Sequence, residues 1–127
     1  MTPPRVLVVD DEEDFLETLV NRLRRRGVHA QGALSGPQAL EAMEGEIFDV
    51  VVLDVRMPGM DGLEVLKELK NKWPFVEVIM LTGHGSVESG IQGMRLGAFD
   101  YVMKPADLED LLEKISQAQE RRALREE

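Results

Sequence analysis

Two apolar runs constrain the chain most: Val6-Leu7-Val8-Val9, which ends in Asp10-Asp11, and Val51-Val52-Leu53, which ends in Asp54. A short run without polar side chains marks a strand covered on both faces, the environment of a parallel sheet between helices. Each run delivers a carboxylate to its carboxyl end, the edge of an open parallel sheet where ligands collect. After Asp54 comes Val55-Arg56-Met57-Pro58-Gly59-Met60-Asp61-Gly62, whose Pro-Gly pair turns the chain out of the strand.

The intervening segments have helical period. Glu12, Glu13 and Asp14 open a first helix striped by Phe15, Leu16, Leu19, Val20 and Leu23, and Arg24-Arg25-Arg26-Gly27 closes it with the charge order a helix dipole favours. Residues 28–34 alternate weakly and suit an edge strand. Ser35-Gly36-Pro37-Gln38 fits a capping box ahead of a second helix carrying Ala39, Leu40, Ala42 and Met43. A strand over about residues 49–53 follows. Asp61 and Glu64 repeat the box spacing before a third helix, which Trp73-Pro74 ends.

Residues 76–81 form a fourth strand that delivers Thr82, and Ser86 caps a helix with Val87, Ile91 and Met94 on one face. Gly90 and Gly93 lie inside that helix, each costing about 1 kcal/mol relative to alanine, which predicts the softest helix of the set and a stiffer one if both became alanine. Tyr101-Val102-Met103 gives a fifth strand closed by Lys104-Pro105, and Asp107 caps a last helix with Leu108, Leu111, Leu112 and Ile115. From Gln117 onward the composition predicts a solvated extension that buries little, a frayed end or the root of a linker.

The order βαβαβαβαβα predicts one α/β domain across residues 1–127, with its core at about residues 5–117. The expected architecture is a flavodoxin-like (βα)5 three-layer sandwich with a parallel five-stranded sheet in order 2-1-3-4-5. That order sets the first and third strands side by side, so Asp10, Asp11 and Asp54 should meet.

Charge narrows the function. With 24 acids against 15 bases the net charge is -9, which disfavours direct binding to nucleic acid or to anionic membrane. The absence of cysteine excludes disulfides and thiolate metal sites. The amino terminus lacks an apolar signal region and no run reaches membrane-spanning length, so the expected location is the cytoplasm.

Three converging carboxylates repel, two unit charges ~4 Å apart costing roughly 4 kcal/mol at an effective dielectric near 20. A cation must therefore share their pocket, and an all-oxygen, water-open ligand set suits Mg²⁺. The predicted ligands are Asp11 and Asp54 directly, Asp10 mainly through water, and the backbone carbonyl of Arg56. Such a metal leaves room for phosphate oxygens, and a carboxylate is an adequate nucleophile toward an activated phosphoryl group, so Asp54 would become an acyl phosphate. Thr82 supplies a hydroxyl and Lys104 a positive charge at neighbouring strand ends.

Taken singly, each residue has a plainer reading. An aspartate at a strand-to-helix junction is most often a cap, Lys104 a solvated lysine, Thr82 strand filling, and Tyr101 a half-buried aromatic with a wet hydroxyl. Met57, Met60, Met80, Met94 and Met103 read as ordinary apolar filling.

Asp10-Asp11, Leu53-Asp54, Met57-Pro58-Gly59-Met60-Asp61-Gly62, Thr82, Gly97-Ala98, Tyr101 and Lys104-Pro105 together resemble, in order and spacing, the receiver domain of two-component response regulators. The resemblance covers about residues 5–117. It implies Asp54 as acceptor of a phosphoryl group from a sensor histidine kinase, Asp10 and Asp11 as magnesium acids, and Lys104 and Thr82 as phosphoryl contacts. It further implies that Tyr101 turns inward when Thr82 moves, that Lys104-Pro105 is cis, and that Arg56 and His84 tune the phosphate lifetime. The reporting surface would be the fourth helix, fifth strand and last helix, offered to an output domain, a downstream protein or a second copy. The wording around Thr82 and Tyr101 is similar to receivers that precede transcription-activating domains, whereas 127 residues point to a stand-alone regulator or a fragment.

Rival chemistries fit less well. A flavin mononucleotide site would place phosphate against the acids of residues 10–14, which repel it. Neither GxxxxGK[ST] nor GxGxxG occurs. A haloacid-dehalogenase-type phosphatase needs a second acid two residues after its nucleophile, where Arg56 stands. A receiver-like module that signals without phosphorylation would not need the full acid, threonine and lysine set.

Overall fold

The sheet is assembled from β1 (Arg5–Val9), β2 (His29–Ala33), β3 (Val50–Asp54), β4 (Glu77–Thr82) and β5 (Asp100–Met103), all parallel and in the order β2-β1-β3-β4-β5. The helices are α1 (Glu13–Arg25), α2 (Gly36–Gly45), α3 (Gly62–Lys72), α4 (Val87–Arg95) and α5 (Leu108–Glu126). This computed structural model describes residues 2–55, 61–83 and 87–126. Arg56 and His84, expected to act near the phosphoryl group, lie outside the described residues.

The apolar runs are divided between two cores by the two-residue period of a strand. Leu7, Val9, Val51, Leu53, Val78 and Met80 face Ala39 and Met43 of α2 and Val65, Leu66 and Leu69 of α3. Val6, Val8, Val50, Val52, Ile79 and Leu81 face Leu16, Leu19 and Leu23 of α1 and Leu111 and Ile115 of α5. Burying both faces of three central strands is what demands runs without a polar break.

Three of the expected caps form, and Ser86, expected to cap the fourth helix, lies outside the described residues. Ser35 Oγ accepts from Gln38 N at 3.2 Å, Asp61 Oδ1 from Leu63 N at 3.0 Å, and Asp107 Oδ1 from Glu109 N at 3.1 Å. Gln38 departs from the box expectation: its Oε1 accepts from the backbone of Leu34 at 2.9 Å, one residue before Ser35.

The end of the chain differs from the expectation of an extension that buries little. The last helix runs unbroken to Glu126, with Ala118 and Gln119 buried. Gln119 Nε2 donates to Thr2 O at 2.8 Å, Arg122 pairs with Asp49 at 3.0 Å, and Arg121 and Arg125 reach Glu77 at 3.0 and 3.4 Å. These residues look solvated in sequence because their partners are far away along the chain. The described helices include none long and apolar enough to cross a membrane.

Candidate functional site

Strand register aligns the chemistry along one edge. Val9 pairs with Leu53, Asp54 with Leu81, and Thr82 with Met103, so Asp10, Asp54, Thr82 and Lys104 sit on consecutive strand ends. Asp10 is fully buried and Asp54 is 6% exposed, whereas Asp11 faces solvent. One carboxylate oxygen from each of the three lies within 4.8 Å of the others. The expected meeting of the acids is therefore present.

Lys104 enters from the end of β5. Its Nζ is 2.8 Å from Asp10 Oδ2, 3.3 Å from Glu12 Oε1 and 3.6 Å from Asp54 Oδ2, and it stands 4.5 Å above the Phe15 ring centroid. Burial opposes the ammonium charge, but the close pairing with Asp10, the charge of Asp54 and the hydrogen bond to Glu12 outweigh it, holding the Lys104 pKa above the ordinary lysine value. Asp10 is engaged on both oxygens, because Oδ1 accepts from Glu12 N at 2.9 Å. Among the described residues, one ammonium faces three aspartates and Glu12, an acidic all-oxygen set that fits a hard divalent cation.

Two backbone features shape the pocket. A Cβ at Gly62 would lie 2.6 Å from both Asp54 O and Val55 Cα, so glycine lets the start of α3 press against the end of β3. Gly62 N donates to Val55 O at 3.0 Å, tying the helix start to the strand end. The Lys104-Pro105 peptide is cis, as the resemblance implied.

Thr82 is 2% exposed and its Oγ1 donates to Met103 Sδ at 3.4 Å, while its carbonyl accepts from Lys104 N at 2.7 Å. The expectation of plain apolar filling at Met103 is thus corrected, because the structure gives its sulfur a polar partner. The signal that would have found it is the β4–β5 register, which sets Thr82 opposite Met103. Tyr101, two residues earlier on β5, is 45% exposed, and its ring borders Gly90 of α4.

A second charged cluster lies at the opposite sheet edge. Glu77, fully buried at the start of β4, is met by Lys70, Arg121 and Arg125. Burial lowers the Lys70 pKa; Glu77 opposes that shift, and Arg125 and Arg121 add to it.

The model of the response regulator receiver domain matches residues 6–116. The chain belongs to this family. The receiver is 40% identical over 113 residues to the transcriptional regulatory protein ZraR of Escherichia coli (strain K12), an alignment covering 89% of this chain and 26% of ZraR. It is 35% identical over 113 residues to the DNA-binding transcriptional regulator NtrC of the same strain, covering 89% of this chain and 24% of NtrC. The receiver thus spans about a quarter of the length of these curated relatives.

Among solved structures, it superposes on a response regulator receiver domain protein from Clostridium thermocellum with a TM-score of 0.91 and 35% identity, covering 95% of this chain and 98% of that one. NtrX from Brucella abortus in complex with ADP gives a TM-score of 0.92 at 32% identity, covering 98% of the receiver and 29% of NtrX. The fold is the flavodoxin-like (βα)5 sandwich in strand order 2-1-3-4-5.

Proposed function

We propose that this receiver accepts a phosphoryl group on Asp54 from a phosphohistidine of a sensor histidine kinase in a Mg²⁺-dependent reaction, and is read by a partner. The observation that carries this reading is the placement of Asp54 beside Lys104 at 3.6 Å, with oxygens of Asp10 and Asp11 within 4.8 Å. Asp11 and Asp54 would hold the ion directly, Asp10 mainly through water, and Arg56 through its backbone carbonyl. The double engagement of Asp10 supports its indirect part. When bound, Mg²⁺ supplies charge neutralisation and orientation to the phosphoryl oxygens.

In the transfer, an Asp54 oxygen bonds to phosphorus as the bond from phosphorus to the imidazole nitrogen breaks, and the imidazole keeps that electron pair. Lys104 balances charge on the new acyl phosphate and Thr82 donates its hydroxyl to a phosphoryl oxygen. Tyr101 then turns inward. Water returns the carboxylate and releases phosphate, at a rate tuned by Arg56 and His84. No external substrate is turned over.

The reporting surface is α4, β5 and α5, where Ile91, Met94, Tyr101 and Met103 are exposed. It would meet an output domain, a downstream protein or, on phosphorylation, a second copy. The charge of -9 argues against direct contact with nucleic acid or membrane. The cytoplasm is the proposed location.

Incubation with acetyl phosphate and Mg²⁺, followed by intact mass measurement, tests the reading. Wild-type protein should gain one phosphoryl group, and neither Asp54→Asn nor wild-type protein in excess chelator should. A wild-type chain that gains none, or an Asp54→Asn variant that gains as much, overturns it.

A further inference from the structure

We propose that Met103 is a positioning residue for the phosphoryl response: its thioether holds the Thr82 hydroxyl in the unphosphorylated state and competes with the phosphoryl group for that proton. This rests on the phosphoacceptor reading of Asp54.

The argument begins with proton count. A threonine hydroxyl has one hydrogen to donate and a thioether has none, so the 3.4 Å contact between Thr82 Oγ1 and Met103 Sδ runs from oxygen to sulfur. While it is made, the same proton is unavailable to an oxygen at Asp54. Thr82 is almost wholly buried, so it cannot replace that bond with one to bulk water at no cost.

The backbone fixes the encounter. Thr82 and Met103 are register partners across β4 and β5, and Lys104 N donates to Thr82 O at 2.7 Å, so the residue after Met103 is tied to Thr82 as well. The hydroxyl can turn away only by leaving the sulfur.

Sulfur is a weak acceptor, which suits a latch that must yield. A carboxylate or amide here would bind the proton more firmly, and an aliphatic side chain would not bind it at all. Met103 is 40% exposed and lies on the same side of β5 as Tyr101, two residues away. Release of the thioether therefore occurs on the surface proposed to change on activation, linking Thr82 to Tyr101 through one strand.

The test measures the ratio of phosphorylated to unphosphorylated protein at steady state with sub-saturating acetyl phosphate and Mg²⁺, by intact mass. Met103→Leu, which keeps bulk and removes the acceptor, should raise the ratio about two- to fivefold, the low end of what a hydrogen bond is worth, as a weak acceptor implies. Met103→Gln, with a stronger acceptor at similar reach, should lower it below wild type. In a Thr82→Val background neither change should matter, because no proton is left to hold.

Equal effects with and without the Thr82 hydroxyl would reduce Met103 to packing and overturn the proposal, as would Leu and Gln variants that shift the ratio in the same direction. The contact also has a readout without phosphorylation: the Met103 methyl resonance in ¹³C-methyl-methionine protein should move in Thr82→Val and stay near its wild-type position in Thr82→Ser. A resonance indifferent to the hydroxyl overturns the latch even if Asp54 is phosphorylated. A wild-type chain that never gains phosphoryl mass overturns the acceptor reading, and the latch's competition with it, so the two failures are told apart.

Discussion

Lys104 lies closer to Asp10 than to Asp54: its Nζ is 2.8 Å from the first carboxylate and 3.6 Å from the second. The ammonium thus compensates the one aspartate of the trio that is fully buried. An unpaired buried carboxylate is costly, so this pair protects the fold as well as serving the site.

Lys104→Met should therefore cost about 2–3 kcal/mol at pH 7 in chelator, below a wholly buried pair because Asp10 keeps its bond from Glu12 N, and added Mg²⁺ should narrow the deficit because a second cation serves the same carboxylates. The pH dependence has a definite sign. The folded Lys104 pKa is raised, so its stabilisation is whole below the unfolded lysine value of about 10.4 and is lost as pH rises through the higher folded value. Urea melts from about pH 7 to about pH 11 should show this alkaline loss in the wild type, with that component missing from Lys104→Met. Parallel pH profiles in the two proteins would contradict the assignment.

Gly62→Ala should damage the pocket without touching its chemistry. The added methyl would meet Asp54 O and Val55 Cα at 2.6 Å, and both are backbone atoms of the strand end that cannot rotate away. We expect a loss of about 2–3 kcal/mol from overpacking, and slower phosphoryl gain at Asp54 as that strand end shifts. Denaturant midpoints and the rate of mass gain check the two parts separately.

The strand ends were legible in the sequence because two physical requirements coincide there. A doubly covered strand must be apolar throughout, so the first carboxylate after Val9 or Leu53 announces where the sheet meets solvent. That places Asp10 and Asp54; Thr82 follows from the fully buried run of β4, whereas Lys104 was placed by the proline after it, since β5 is exposed at Tyr101 and Met103. Contacts set by register or long chain separation left no local trace. Met103 gains its partner only through pairing with Thr82, Glu12 contacts Lys104 across 92 residues, and the basic tail of α5 is ordered by Asp49 and Glu77. Periodicity reports that a residue is apolar or charged, and it is silent on what stands opposite.

The glycines of α4 show the same limit, because sequence weighs them alike and the structure separates them. A Cβ at Gly90 would reach Tyr101 at 3.8 Å, an ordinary contact, whereas one at Gly93 would fall 2.1 Å from Met80 Cε and Sδ. Met80 is buried, so its thioether end has little space to retreat. Gly90→Ala should stabilise by up to about 1 kcal/mol through helix propensity. Gly93→Ala should lose that gain to overpacking, netting about 1 kcal/mol destabilising. Thermal melts of the single variants should thus diverge in sign, and stiffening by both changes together is not expected.

Glu77 offers the strongest test of the edge opposite the acids. Its side chain is fully buried, yet it is flanked by Lys70 Nζ at 3.5 Å, Arg121 Nε at 3.0 Å and Arg125 Nη1 at 3.4 Å. Lys70 also donates to Val76 O at 2.7 Å and Pro74 O at 3.0 Å, so it is held in place whether or not the carboxylate is present. Glu77→Ala would leave that mostly buried ammonium beside two guanidinium groups with no anion between them. The arginines are more exposed and can swing into solvent, which sets the cost below that of a wholly buried pair, at about 2–3 kcal/mol. The loss should be local in its second effect: amide exchange should quicken in the last two turns of α5, which the arginines pin to the sheet, while the turns around Leu111 and Ile115 keep their protection. Adding Lys70→Met to Glu77→Ala should recover part of the stability, because it removes the charge that burial already disfavours. A double variant no more stable than Glu77→Ala alone would show that the carboxylate acts through packing rather than charge.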